Sequence, residues 1–240
     1  LHGRRSLRIG KEVCKETALE HKRRRLEFIW CNEGDNHRKD RAMITQLEIK
    51  LKYQSEEKLN YNISSVMHGI LMGHIDRAYG ERMHEDGLKP FVQEVCNIKE
   101  DEFIWRICTM TEEAKIQIIE PLMKMDQFYM KHRELRLKVC ERNLKEISYD
   151  TLIENYYFEE QPRNITIKFC SPTAFKSQGN YIFMPTVRLI FQSLIHKYDT
   201  FSSGTMVGSE ETLEHIERYV MITRYHLRSV NFSLEGVRIP

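Results

Sequence analysis

The sequence predicts an α+β protein, because strand-like and helix-like patterns of apolar residues follow one another along the chain. Its 240 residues are enough for one large domain or two small ones. In the first pattern, Leu47, Ile49 and Leu51 alternate with polar residues, which is typical of a half-buried strand. Apolar residues at helical spacing then predict a helix from about 64 to 79.

The next segments complete a β-α-β-β-α-β order. Residues 91–95 and 103–109 predict two strands joined by a turn. Thr111 is a suitable N-cap for a second helix, whose first turn is acidic. Apolar residues between 128 and 139 predict a closing strand. This order is that of a ferredoxin-like (RRM-like) unit, so residues 43–147 are predicted to form the N-terminal domain.

A second unit of the same kind is predicted over residues 148–240. Residues 165–169 alternate as a strand, and Pro185 occupies the first position of a helix. Residues 219–234 predict an extended strand. No further helix and strand follow before Pro240, so we expect tandem ferredoxin-like units, the second incomplete at its C-terminus, in a native protein that continues.

Residues 1–42 differ in composition from the rest. They hold 12 Lys and Arg residues against 7 Asp and Glu residues, whereas the formal charge of the whole chain is only +2. One interpretation is a nucleic-acid-binding arm built around the run Lys22 to Arg25. The other is a non-native or disordered leader. The start at Leu1 instead of Met and the abrupt change of pattern favour the leader.

Composition and motifs exclude several classes of protein. No run of 18 apolar residues and no apolar signal segment occur, so no contact with a membrane is predicted. The six cysteines form no C-x-x-C pair, which argues for a reduced, cytoplasmic protein without a zinc ribbon. The P-loop, G-x-S-x-G and H-E-x-x-H motifs are absent. No cluster has the spacing of metal ligands, so neither a metal nor a cofactor is predicted.

Several blocks of residues resemble one known family. The segments Phe169–Lys176, Tyr181–Pro185 and Leu189–Leu194 are similar to a block of the CRISPR-associated endoribonucleases of the sixth Cas family, in the RAMP superfamily. The stretch from Arg82 to Phe91 falls in the order expected for that family, and the resemblance extends over residues 43–240.

The resemblance implies metal-independent cleavage of CRISPR repeat RNA within a precursor transcript, which yields crRNAs. The 2′-OH would attack the adjacent phosphate and leave a cyclic phosphate. This chemistry needs a base, an acid and a cation beside the phosphate. Two other functions stay open: a non-catalytic RNA-binding subunit of a CRISPR ribonucleoprotein, and a generic ferredoxin-like binding protein. The partners expected from the resemblance are the repeat RNA and other CRISPR-associated proteins.

The resemblance also suggests the catalytic residues. His84 lies in the loop after the first helix, where the family keeps its catalytic histidine, and Lys89 aligns with a basic residue of the family's site. His68 lies off the apolar face of the helix and is the alternative catalytic residue. Met72 stands near a position that is Tyr in some members, so Tyr79 is the substitute candidate for that hydroxyl.

Basic residues near these segments are the candidates for RNA binding. Phosphate contacts would supply affinity, and base contacts would supply selectivity. Arg224 and Arg228 are predicted to share one face of a strand with His226, because the three residues are two apart. The alternative is that this face of the sheet is only solvated. The candidates are Arg82, Lys168, Lys176, Arg188, Arg224 and Arg228.

Overall fold

A computed structural model describes residues 43–55, 59–85, 87–158, 160–204, 206–228, 232–234 and 237–239. The predicted leader over residues 1–42 lies outside the described residues. Residues 41–151 and 162–240 belong to one compact unit, and residues 152–161 belong to another. The predicted division between residues 147 and 148 stays a prediction.

A five-stranded antiparallel sheet organises the first half of the described chain. Its strand order is β2-β3-β1-β5-β4, and every neighbouring pair is antiparallel. Without the short β4 this is the order of a ferredoxin-like unit. The α+β class is therefore confirmed, whereas the tandem arrangement stays a prediction. The strands are β1 (Met43–Lys52), β2 (Phe91–Cys96), β3 (Glu102–Thr109), β4 (Gln127–Met130) and β5 (Leu135–Ser148).

One face of this sheet forms the hydrophobic core. Alternate residues of β1 and β3 are buried while their neighbours are partly exposed, because successive side chains of a strand point to opposite faces. The ring of Trp105 meets the ring of Phe128 edge-on at 5.3 Å between centroids. The main buried side chains are Leu47, Ile49, Leu51, Ile63, Met67, Leu71, Trp105, Ile107, Ile118, Leu122, Phe128 and Leu137.

The helix predicted over residues 64–79 is in fact two helices, α1 (Ile63–Met72) and α2 (Arg77–Arg82). Asp76 caps α2, because its carboxylate accepts a hydrogen bond from the backbone N–H three residues later at 3.0 Å. The backbone of an N-cap residue is not helical, and that of Asp76 has ψ of 139°. The new cap therefore interrupts the single predicted helix.

The second helical segment begins where the sequence predicts. Thr111 is its N-cap and accepts a hydrogen bond from the N–H of Ala114 at 3.1 Å. The segment is irregular, since α3 (Glu112–Ala114) leads into a π-helical turn (Lys115–Ile119) and then into α4 (Glu120–Met123). Pro121 cannot donate an intrahelical hydrogen bond, which fits an irregular helix at this point.

The single closing strand predicted over residues 128–139 is wrong. The chain instead forms the hairpin of β4 and β5, with a turn that includes Lys131–Arg133 in a 3₁₀ helix. Glu134 completes the turn in the left-handed region, at φ of 48°. β5 is 14 residues long, and its part from Lys138 to Ser148 pairs with β1. The apolar pattern continues through the turn without a break, so it does not indicate that the chain reverses direction there.

Among the described residues after β5, three α-helices and two short strand pairs are joined by irregular segments. α5 follows β5 directly, and α6 and α7 begin at the caps Thr186 and Ser209, so the predicted helix start at Pro185 comes two residues too early. No helix of the described residues is long and apolar enough to cross a membrane. The elements are α5 (Tyr149–Ile153), β6 (Phe175–Ser177), β7 (Asn180–Ile182), α6 (Val187–Phe201), α7 (Glu210–Tyr219), β8 (Phe232–Leu234) and β9 (Val237–Ile239).

Two predicted strands in this part are wrong. Residues 165–169 form no strand, and Ile165 is 62% exposed. Of the described residues within the strand predicted over 219–234, only those of β8 form a strand, which pairs with β9. Alternation shows that one face of a segment could be buried, but a strand also needs a hydrogen-bonded neighbour, and residues 165–169 have none among the described strands.

Replacing Leu47 by Ala should lower the free energy of unfolding by about 2–5 kcal/mol, because the side chain is fully buried and a cavity would remain. Leu144 faces Leu47 across the β1–β5 pair but is 42% exposed, so Leu144→Ala should cost less than about 1 kcal/mol. Urea denaturation measures both values. Equal losses would show that the core extends over this end of β5.

Candidate active site

The loop of residues 83–90 joins α2 to β2 and carries both predicted catalytic residues. His84 is exposed directly after α2. Lys89 is half-buried, and its ammonium donates a hydrogen bond to the carbonyl oxygen of Glu85. Gly87 has φ of 112°, which a side chain would disfavour, and this allows the loop to turn back. His84 and the ammonium of Lys89 therefore belong to one short, folded loop.

Both ends of this loop are held by the segment that starts α3. At the N-terminal end, the guanidinium of Arg82 forms an ion pair with the carboxylate of Glu113. The same guanidinium lies over the ring of Tyr79, 5.1 Å from its centroid. At the C-terminal end, the N–H of Met110 donates to the carbonyl oxygen of Pro90 at 2.8 Å. The ends of the loop are thus fixed while its middle is exposed.

His68, the alternative catalytic residue, lies beside the C-terminal end of the loop. Its ring stacks on the ring of Phe91, the first residue of β2, with centroids 6.0 Å apart and planes 8° from parallel. The helix that carries it is tied to β2, since Gln93 donates from Nε2 to the carbonyl oxygen of Ser64 at 2.9 Å. The side chain of His68 is half-buried and packed, whereas that of His84 is exposed.

Tyr79 is poorly placed to contact a substrate. Its side chain is 1% exposed, and its hydroxyl has no hydrogen-bond partner among the described residues. Burial, with a smaller contribution from the charge of Glu113, raises the pKa of Tyr79 to about 12. A buried phenol with so high a pKa stays protonated near neutral pH, so it does not serve there as a general base. The position of Tyr79 therefore argues for a packing role.

Two of the six predicted RNA-binding residues already hold ion pairs. Arg82 pairs with Glu113, as described above. Arg188 links α6 to α7, with its guanidinium 2.7 Å from the carboxylate of Glu210 and 2.9 Å from that of Glu217. An internal carboxylate competes with an RNA phosphate for a guanidinium, so these two residues are less suited to phosphate binding than an uncompensated cation.

The other four candidates form no ion pair within the described part of the chain. Lys168, Arg224 and Arg228 are exposed. Lys176 lies on β6, and its ammonium is 4.6 Å from the centroid of the Tyr181 ring on β7. The prediction that Arg224, His226 and Arg228 share a strand face is wrong, because these residues form no strand. Their exposure nevertheless leaves them accessible to a ligand.

The sequence did not predict the role of Glu113 in holding the loop. From the sequence alone, Glu112 and Glu113 are acidic residues of a first helical turn, where they suit the helix dipole. The partner of Glu113 lies 31 residues away in sequence, beyond any local pattern. Within the described residues, no three or more His, Cys, Asp or Glu side chains are grouped so that they could hold a metal ion.

Comparison with known proteins identifies one family. The family model for the CRISPR-associated endoribonuclease Cas6 matches residues 167–235. A Streptococcus thermophilus protein of that name is 31% identical over 173 residues, which are 72% of this chain and 70% of the relative. Its Mycobacterium tuberculosis (strain CDC 1551 / Oshkosh) counterpart is 28% identical over 218 residues, 86% of this chain and 68% of the relative.

Two solved structures share the fold. A Cas6 product complex superposes with a TM-score of 0.60 at 14% identity, over 82% of this chain and 79% of that chain. Thermus thermophilus Cas6 gives a TM-score of 0.54 at 18% identity, over 73% of this chain and 69% of that chain. At these identities the likeness concerns the fold alone.

Replacing Tyr79 by Phe should leave RNA cleavage within about twofold of wild type, because the buried hydroxyl has no partner to lose. Removing an unsatisfied buried hydroxyl is nearly neutral or stabilising, so the free energy of unfolding should not fall. Single-turnover cleavage and urea denaturation check the two expectations. A hundredfold loss of rate in a folded variant would instead assign the hydroxyl to catalysis.

Proposed function

The chain belongs to the Cas6 family of CRISPR-associated endoribonucleases, and from that membership we propose that it cleaves repeat RNA within a CRISPR precursor transcript. The observation that carries the proposal is the 31% identity to a curated family member over 72% of the chain. The exposed loop with His84 and Lys89 supports it, since it offers a proton-transfer group and a cation at the surface. The products would be crRNAs.

The proposed reaction uses the RNA's own nucleophile. The 2′-OH upstream of the scissile bond loses its proton and attacks the adjacent phosphorus, so that a new O2′–P bond forms. The P–O5′ bond breaks, and the leaving oxygen takes up a proton. The products are a 2′,3′-cyclic phosphate and a 5′-OH. The protein must therefore move two protons and stabilise the charge of the pentacoordinate transition state.

We assign one proton transfer to His84 and charge stabilisation to Lys89. An imidazole serves as base or acid near neutral pH, and His84 is exposed on a loop whose ends are fixed. The ammonium of Lys89 retains two further N–H donors after its contact with the Glu85 carbonyl, so it can also contact a phosphate oxygen. His68 remains the alternative proton-transfer group.

RNA affinity is proposed to come from the exposed cations in the second half of the chain. Lys168, Lys176, Arg224 and Arg228 lie between residues 167 and 235, the part that the family model matches. Their charges would contact phosphates, and affinity should fall steeply with salt. The family resemblance supports other CRISPR-associated proteins as partners, and the six cysteines without a C-x-x-C pair support the cytoplasm as the site of action.

Replacing His84 by Ala should lower the single-turnover cleavage rate about 10²- to 10⁴-fold and leave the Kd for repeat RNA within a few-fold, because general acid–base catalysis is lost. His132→Ala is the matched control, since His132 is an exposed histidine in the turn between β4 and β5. A near-normal rate for His84→Ala would refute the assignment. A large loss in His68→Ala would then transfer the role to His68.

Cleavage should persist in excess EDTA, because the attacking 2′-OH belongs to the substrate and the proposed protein groups are an imidazole and an ammonium. The measurement is the single-turnover rate with and without the chelator, with a Mg²⁺-dependent nuclease as the positive control. Activity that disappears in EDTA and returns with Mg²⁺ or Mn²⁺ would contradict the proposed mechanism.

A further inference from the structure

We propose that Glu113 is a positioning residue for cleavage, which acts through Arg82 to fix the loop that carries His84. This inference rests on the proposed function. It assigns to Arg82 a role inside the protein instead of the RNA contact that the sequence suggested. It also adds to the site a carboxylate that no local sequence pattern indicates.

The connection from β3 into α3, which contacts both ends of the loop, is itself held by several hydrogen bonds. Met110, Thr111 and Glu113 belong to the short connection from β3 into α3. Thr111 caps that helix through its 3.1 Å hydrogen bond. The hydroxyl of Tyr149 donates to the carbonyl oxygen of Met110 at 3.2 Å, which ties the connection to the end of β5. A contact to Glu113 therefore joins the loop to the sheet and its core.

Among the described residues, the other constraints near His84 are the packing of the partly buried Met83 against the core, the contact of Lys89 with the Glu85 carbonyl oxygen, and local backbone hydrogen bonds. The backbone N–H groups of Met83 and His84 bond only to carbonyl oxygens of α2, at 3.0–3.1 Å. These bonds continue the helix but do not fix its direction relative to β2. The Arg82–Glu113 pair and the Met110–Pro90 hydrogen bond tie the two ends of the loop to the start of α3. Loss of the pair should leave the Pro90 end held and give the His84 end more freedom, within the limit set by the packing of Met83.

The geometry of Arg82 favours this internal role. Its guanidinium is stacked over the ring of Tyr79 while its Nη2 contacts Glu113. The side chains of Arg82 and Glu113 are 53% and 55% exposed, so the pair should contribute little to global stability. Its removal should therefore change the position of the loop without unfolding the protein, and a small displacement of a catalytic group lowers the rate strongly.

Removal of Glu113 should have different effects depending on whether Arg82 contacts an RNA phosphate or holds the loop through Glu113. If Arg82 binds a phosphate, Glu113 competes with the RNA, and its removal should strengthen binding without slowing cleavage. If Glu113 positions the loop, its removal should slow cleavage at saturating enzyme. Glu113→Gln keeps the shape of the side chain and removes its charge, while Glu113→Ala removes both.

The test is single-turnover cleavage of labelled repeat RNA, with Kd measured at several salt concentrations. We expect Glu113→Gln, Glu113→Ala and Arg82→Ala each to lower the rate by about 3- to 5-fold, the upper range for loss of an exposed ion pair, with Kd unchanged or tighter for the Glu113 variants. The double variant Arg82→Ala/Glu113→Ala should be no slower than the slower single variant. The charge-reversed pair Arg82→Glu/Glu113→Arg should recover most of the rate, which a general structural defect would not allow.

A matched control lies on the same helix. Arg77 and Glu81 form an exposed ion pair within α2, at 3.0 Å, that does not reach α3. Glu81→Ala should cleave within twofold of wild type. Circular dichroism of each variant confirms that it is folded.

Three outcomes would overturn the inference. In the first, Arg82→Ala weakens RNA binding and lowers the slope of log affinity against log salt concentration by about one, while Glu113→Ala cleaves normally. Arg82 would then be a phosphate contact. Additive losses in the double variant would show that the two residues act separately. Normal rates for all variants, with His84→Ala inactive, would refute this inference and leave the proposed function intact. Failure of the wild-type chain to cleave repeat RNA would instead refute the proposed function, whereas a His84→Ala variant that cuts normally would refute only the assignment of His84.

Discussion

The burial of one face of the antiparallel sheet is the constraint on which the rest of the structure depends. β1 lies between β3 and β5, and its alternate residues Leu47, Ile49 and Leu51 are fully buried. A slip of one residue would turn this set to the opposite face, so the hydrophobic pattern fixes the register. The register in turn places Phe91 opposite Thr109, and the loop before β2 therefore ends beside the start of α3. The geometry of the candidate site follows from the core.

Those parts of the fold that depend on local chemistry could be predicted from sequence. The alternation of β1 and the cap at Thr111 are of this kind, because each is specified by adjacent residues. The failures have one physical cause. Residues 165–169 and 219–228 carry suitable patterns, but strand formation depends on a neighbour that local sequence does not specify. In the same way, Asp76 could be recognised as a cap only after the break in the helix was known.

The candidate site was predictable only in part. The position of His84 and Lys89 in one loop follows from the chain order, and their assignment follows from the family resemblance. The burial of Tyr79 and the ion pair between Arg82 and Glu113 depend on contacts between helices far apart in sequence. A basic residue in a sequence shows a charge but not its partner, so Arg82 and Arg188 could not be separated from the exposed cations without the structure.

The pairing of charges also explains how a chain with a formal charge of only +2 can present cations to RNA. On the outer face of the sheet, the guanidinium of Arg106 contacts the carboxylates of Glu48 and Glu94, so that charge is compensated within the protein. Arg224 and Arg228 form no ion pair within the described residues, and both are exposed. Affinity depends on the local field near the phosphates and not on net charge. The uncompensated cations of one segment are therefore the proposed source of RNA affinity, while the paired ones hold elements of the fold together.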